Sequence, residues 1–257
     1  MMDKTFKIII VLLSFLMLLF LIVPIAKILV GVSFEKLILA LHDKEILSSI
    51  FITVKMSFFA TVLVFVCGVP LAYLLSRYNF CCKALVEGII DIPVMVPHVA
   101  AGIALLMSFG ANGYMGLFFH KLGIKFLDTQ YGILIAMMFV SAPFLINGAK
   151  EGFKKVDIRL EHVSKTLGAN SFWTFVKVVL PNARKDIING MLMMWGRGMG
   201  EFGAVVIIAY HPLTAPVMIY DRFNSFGLSY AVPVAVIMII ASIIIFALIR
   251  IINNMLK

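Results

Sequence analysis

An all-α integral membrane protein with six transmembrane helices is the fold class this sequence predicts, and three observations predict it. Apolar residues make up 62% of the 257, more than a soluble domain carries, and the mean hydropathy is +1.07. They lie in long uncharged runs, without the polar face that a helix of a soluble protein needs. The basic residues, 22 against 13 acidic ones, gather between the runs. In a soluble chain a charge of +9 would suggest nucleic acid. Here it reads as topology, because basic loops stay in the cytoplasm, so membrane lipid is an expected partner and nucleic acid is not.

The first run, 8–26, holds 19 residues without a charge. At about 1.5 Å per residue it covers ~28 Å, roughly a bilayer core. A signal-peptide core is usually about 7–15 residues and ends at a small-residue cleavage site. This run is longer and ends in Pro24, Ala26 and Lys27, so a retained N-terminal helix over 6–30 is expected, ahead of a core at about 46–253 in a single 1–257 domain. Leu47 and Leu75 bound the second span, and 56–76 is wholly uncharged. The third follows Asp91 and carries Pro93, Pro97 and His98 early. The fourth lies between Asp128 and Lys150, with Pro143 and Asn147 inside. The fifth starts near Ile187 and contains Arg197 and Glu201, and the sixth falls within the uncharged run Phe223 to Ile249.

Six spans put both termini on one side. The termini and even-numbered loops hold 14 basic residues, from Lys4 to Lys257, and the odd loops hold 6. That asymmetry predicts cytoplasmic termini. Cys67 lies in an apolar run and Cys81 and Cys82 are adjacent; this is neither a disulfide framework nor a metal-ligand spacing, and the three read as structural.

The longest polar loop separates the fourth and fifth spans. Val156, Leu160, Val163 and Leu167 are spaced by four, three and four, which places them on one helix face. Asp157, Arg159, Glu161, His162, Ser164 and Lys165 cover the other sides. Gly168 fits a left-handed C-cap. A second short helix is expected from Asn170 or Ser171, both good N-caps, showing Phe172, Phe175, Val176 and Val179 and stopped by Pro181. Such a loop could lie on lipid or dock a cytoplasmic partner, and pattern alone leaves both open.

Within the spans, Arg197 and Glu201 are four residues apart, which suits an internal ion pair that lets the helix insert or a pathway or gate position. A guanidinium there could attract an oxyanion, and a close carboxylate would cancel much of that attraction. His98, after Pro97, is a pathway residue or a packing one, because prolines free backbone groups that protein or a lined cavity must satisfy. Lys55 can snorkel to the outer headgroups or stand at an outer mouth. Gly196, Gly198, Gly200 and Gly203 permit close approach at a subunit interface or around a pore. Phe202 is core unless it narrows a gate. No residue is expected to be catalytic and none to bind a metal. The sequence has no G-x-x-x-x-G-K-[ST] phosphate loop, no H-E-x-x-H and no nucleophile elbow, so no cofactor is expected in this chain and energy must come from a partner. A self-contained secondary transporter would need a midplane site with coupling ions, often in an inverted repeat. An intramembrane enzyme would need paired catalytic groups. Neither pattern is seen.

The loop resembles the motif of ABC importer permeases: Glu-Ala-Ala, three residues, Gly, nine residues, Ile-x-Leu-Pro. His162, Val163 and Ser164 occupy the Glu-Ala-Ala positions, and Gly168, Val178, Leu180 and Pro181 follow at matching spacing. The leading Glu is replaced by His162, with Glu161 one place earlier. In that family the loop is a coupling helix seated on an ATPase. The resemblance therefore assigns Leu160, Glu161, His162, Val163, Ser164, Leu167, Gly168, Leu180 and Pro181 to ATPase coupling. "GVPLAYLLSRYNF", "DIPVMVPHVAAGIALL" and "GRGMGEFGAVVIIAYHPLTAPVMIYDRF" resemble the oxyanion permeases of the molybdate, tungstate and sulfate group, the last most like archaeal molybdate/tungstate permeases. The resemblance implies a type I importer permease in a prokaryotic plasma membrane, working as a homodimer. Its implied partners are two ABC subunits that bind ATP and Mg and an extracytoplasmic molybdate- or tungstate-binding protein. Sulfate is the alternative substrate. His98, Arg197, Glu201 and Phe202 are then the pathway or gate candidates.

Overall fold

The computed structural model describes residues 4–255. Lys257, one of the basic residues behind the expected orientation, lies outside the described residues. Every regular element among them is helical: α1 Lys4–Val30, α2 Phe34–His42, α3 Lys44–Arg77, α4 Lys83–Met95, α5 His98–Phe109, α6 Tyr114–His120, α7 Gln130–Lys155, α8 Ile158–Thr166, α9 Ser171–Thr174, α10 Leu180–Met199, α11 Gly203–Ile208, α12 Ala215–Phe226 and α13 Leu228–Met255. A π-helical turn, Phe175–Val179, joins α9 to α10. Short polar side chains start several helices. Asp43 accepts from the amides of Glu45 and Ile46 to cap α3, and Thr129 does the same for α7, satisfying donors that the first turn leaves open.

Among the described residues four helices are long and apolar enough to cross a bilayer: α1, α3, α7 and the 228–247 stretch of α13. The expected third span is a bent pair. α4 and α5 meet at 113°, because Pro97 cannot donate a backbone hydrogen bond and biases Val96 to an extended conformation. The expected fifth span is not one helix either. α10 ends at Met199, residues 200–202 break the path, and α11 lasts six residues. Among the described residues the expected six spans are therefore not all single unbroken helices: four qualify by length and composition, or five if the bent pair counts as one. Local glycine and proline chemistry divided the rest.

The core is built by α3, α7 and α10 with α11 against α5. Leu75, Ile133, Met137, Leu145, Phe153 and Met194 are fully buried there. Ser49, Thr53, Ser57 and Thr61 form a buried polar stripe along α3, one helical turn apart. Each hydroxyl donates to a carbonyl one turn back, at 2.7–2.9 Å, so the polar atoms are satisfied away from water. Thr53 Oγ1 also accepts from the Ala215 amide at 2.7 Å and thereby satisfies the start of α12. By contrast α1 has no buried residue; a helix apolar all round is stable only with lipid or another chain about it.

Candidate functional site

The α7–α10 connection folds as a platform. Asp157 caps α8 by accepting from the Arg159 amide at 2.9 Å. The Gly168 amide donates to Lys165 O and the Ala169 amide to Ser164 O, the paired bonds of a Schellman ending. Gly168 has φ +88° and open space where a Cβ would stand, so the glycine serves the backbone and not packing. Asn170 Oδ1 accepts from the Trp173 amide to start α9, and Ser164 and Thr174 join the two short helices through their hydroxyls at 3.1 Å. The Gly168 corner and the Asn170 cap are where the sequence puts them, whereas Asp157, expected along the side of α8, is its N-cap.

The face is not. Glu161, expected on the polar side, is the buried residue of α8, 5% exposed. Its carboxylate lies 2.6 Å from Arg77 Nε and accepts from the Tyr73 hydroxyl at 2.7 Å. Arg77 Nη2 also donates to the Val156 carbonyl at 2.8 Å. Tyr73, Phe153 and Phe175 stack beneath the platform, 4.9–5.9 Å between ring centroids. The expected apolar face divides: Val156 precedes the helix and is buried, whereas Leu160, Val163 and Leu167 are 44%, 55% and 83% exposed. His162 is exposed as well. A paired, hydrogen-bonded carboxylate takes the inward position, and the aliphatic side chains are left facing out beside Phe172 and Trp173. Lys177 Nζ sits 4.5 Å over the Trp173 ring.

Pro181 does not stop the second helix. The Leu180 amide reaches five residues back to Phe175 O, and α10 continues with Pro181 in its first turn. The π turn relieves the clash a proline ring would otherwise make with the preceding turn. Leu180 packs on the core while Pro181 is exposed.

A second cluster forms where the two broken paths meet. Arg197 Nη2 lies 2.9 Å from Glu201 Oε2 and 2.8 Å from His98 Nε2, and His98 Nδ1 lies 3.4 Å from Glu201 Oε2. Arg197 Nη2 also lies 3.2 Å from His98 Nδ1, so the guanidinium faces both ring nitrogens. Glu201 sits in the break and not inside a helix, and its other oxygen accepts from the Ala204 amide at 2.9 Å. Gly203 lets the starts of α5 and α11 meet at this cluster: a Cβ there would stand 2.7 Å from His98 Cβ. Gly198 packs on Ser57, whereas Gly196 meets nothing within 4 Å. The glutamate is 1% exposed while Arg197 and His98 are 27% and 39%, so the buried carboxylate holds the guanidinium from behind and leaves donors on the open side. Phe202 stacks on Tyr220 at 4.9 Å. Lys55 is half-buried, 6.0 Å from the Phe51 ring, and stands outside the cluster. Among the described residues no three His, Cys, Asp or Glu side chains could share a metal ion.

The sequence reading missed three participants. Tyr73 and Arg77 are remote from α8 along the chain and carry no local signal. The Ser/Thr stripe does carry one, a hydroxyl at every fourth residue from Ser49 to Thr61.

Residues 65–257 match the family described as "Binding-protein-dependent transport system inner membrane component". The chain is 39% identical over 220 residues to the molybdate/tungstate transport system permease protein WtpB of Pyrococcus abyssi, covering 86% of this chain and 84% of that protein. It is 38% identical over 215 residues to the protein of the same name in Methanocaldococcus jannaschii, covering 84% and 85%. A probable sulfate transport system permease protein, cysT of Chlorokybus atmophyticus, is 32% identical over 201 residues, covering 77% and 70%. Among solved structures, a bacterial ABC transporter involved in alginate import superposes with a TM-score of 0.76 at 14% identity, covering 98% and 96%. The MetNI methionine ABC transporter gives 0.62 at 16%, covering 82% and 94%.

Proposed function

Because the chain belongs to the family of binding-protein-dependent transport system inner membrane components, and so is an integral membrane permease with the importer fold, we propose that it is the membrane subunit of an ABC importer for tungstate or molybdate. The names of its archaeal relatives support the substrate. The observation that carries the coupling role is the outward apolar platform of α8 and α9, held by a buried ion pair instead of by its own apolar residues. An exposed patch of this kind is unfavourable in water and suits a partner surface.

In this reading Leu160, His162, Val163 and Leu167 meet an ATPase subunit that binds ATP and Mg. Ser164 and Gly168 hold the corner, Leu180 and Pro181 seat the platform on α10, and Glu161 positions α8 through Tyr73 and Arg77. The 1–257 chain acts as one permease domain, with the helix at 6–30 ahead of the core at about 46–253, the termini in the cytoplasm of a prokaryotic cell, and no catalysis of its own. It works as a homodimer. An open apolar groove of about 720 Å³, lined by Ile25, Gly196, Gly200, Ile219, Ile243 and Phe246 among others, supports a covered face in the assembly. An extracytoplasmic binding protein delivers the anion. Arg197, packed on His98 and backed by Glu201, supplies its donors along the path where His98 lies, and Phe202 packs at the break as a gate. The near-neutral cluster favours passage over retention, because a strongly held anion is not released. ATP-driven closure of the partner subunits would turn the cavity outward by favouring one of two states.

The test is reconstitution in proteoliposomes with the ATPase and binding protein, measuring labelled tungstate or molybdate uptake. ATP-dependent uptake that sulfate does not compete supports the reading. Uptake without the ATPase, or none with either anion, overturns it.

A further inference from the structure

The turn between α3 and α4 carries two adjacent cysteines that neither the platform nor the path uses. Cys81 and Cys82 are both exposed, and their sulfur atoms are 3.5 Å apart. Successive side chains on an extended chain point to opposite sides. Here Cys82 adopts a left-handed conformation, φ 66° and ψ 15°, in a turn that brings both thiols together. That conformation is uncommon for any residue but glycine, asparagine or aspartate. Cys82 is also the N-cap of α4 and makes no side-chain capping bond, whereas asparagine and aspartate are favoured both in the left-handed region and at N-caps. A cysteine at 82 is therefore the poorer choice for both the backbone and the helix end. The ammonium of the adjacent Lys83 donates to Asn79 Oδ1 at 3.2 Å.

We propose that Cys81 and Cys82 form a bidentate thiol site for a trivalent thiophilic centre of the arsenical class. Structural zinc takes four ligands, and no third His, Cys, Asp or Glu joins the pair among the described residues. The site therefore suits a centre that two sulfurs satisfy. An arsenical R–As(OH)2 meets that need. Two As–O bonds break and two As–S bonds form, and the two thiol protons leave with the two hydroxyls as two waters, with no electron transferred. Cys67 cannot join, since it lies ten residues before the end of α3, ~15 Å along the helix, and it serves as an internal monothiol control.

The experiment uses the full chain in detergent with phenylarsine oxide as the probe. Intact-mass measurement should find one arsenical per chain, and titratable thiols should fall from three to one. Ethanedithiol should reverse the binding and an equal thiol concentration of mercaptoethanol should not. C67S should bind as the parent does, whereas C81S and C82S should each bind at least tenfold more weakly while still inserting in membranes. Retained binding in C81S or C82S, dependence on Cys67, one arsenical per two chains, or no uptake at all would each overturn the proposal.

Discussion

Glu161 and Glu201 are the two carboxylates this protein buries among its described residues, and each is held by one arginine. Removing one partner of a buried pair strands a charge and costs about 3–5 kcal/mol, whereas removing both does not. Glu201→Gln should therefore lower the unfolding temperature in detergent by more than the double change Arg197→Met with Glu201→Gln. If Arg197 also offers donors to the anion, the double variant should assemble and still fail to transport. Normal uptake by that variant would exclude Arg197 from the path. Glu161→Ala should leave membrane insertion intact, speed amide exchange over 158–166, and weaken ATPase binding at least tenfold. Unchanged exchange would mean that the Arg77 and Tyr73 contacts do not hold α8.

At the level of the element, α8 and α9 depend on a backbone corner more than on packing. A left-handed residue other than glycine costs roughly 1–2 kcal/mol, and asparagine tolerates the region better than a β-branched residue. Since a Cβ at 168 meets nothing, Gly168→Asn should keep most ATP-driven transport and Gly168→Val should lose it. Equal loss in both would point to a packing role. Val163→Asp tests the outer face. Val163 is 55% exposed, so the charge should leave folding untouched and reduce affinity for the ATPase in detergent. Unchanged affinity and transport would return the platform to a lipid-surface role. The π turn ahead of Pro181 has the same character, since a local adjustment lets α9 run on into α10.

For the whole molecule, α1 lies apart from the core and much of α13 is exposed, so the monomer leaves surface for lipid and for a second copy. Orientation is a property of the entire charge distribution. With the native cysteines replaced, a single cysteine at Lys154, whose side chain is 47% exposed, should react with an impermeant maleimide only from the cytoplasmic side. Reaction from outside would invert the proposed topology, and with it the side on which the ATPase docks.

Much of what neighbouring residues carry was legible before any packing was known. Long apolar runs announced the membrane, Gly168 announced the corner, Asn170 announced the second cap, and the four-residue spacing announced the Arg197–Glu201 pair. Those signals are local, because caps, turns and helix-face pairs are settled within a turn or two of backbone. Tertiary structure alone decided which face of α8 turns inward, since Arg77 and Tyr73 come from α3 and no periodicity in 156–167 encodes them. It also decided that His98 joins Arg197 and Glu201, because α5 and α11 pack closely where Gly203 and Gly102 let the chains meet. The number of continuous spans escaped composition for a related reason. Pro97 and Gly200 permit a break, but whether the chain bends or continues there depends on the partners that packing supplies for the freed backbone groups.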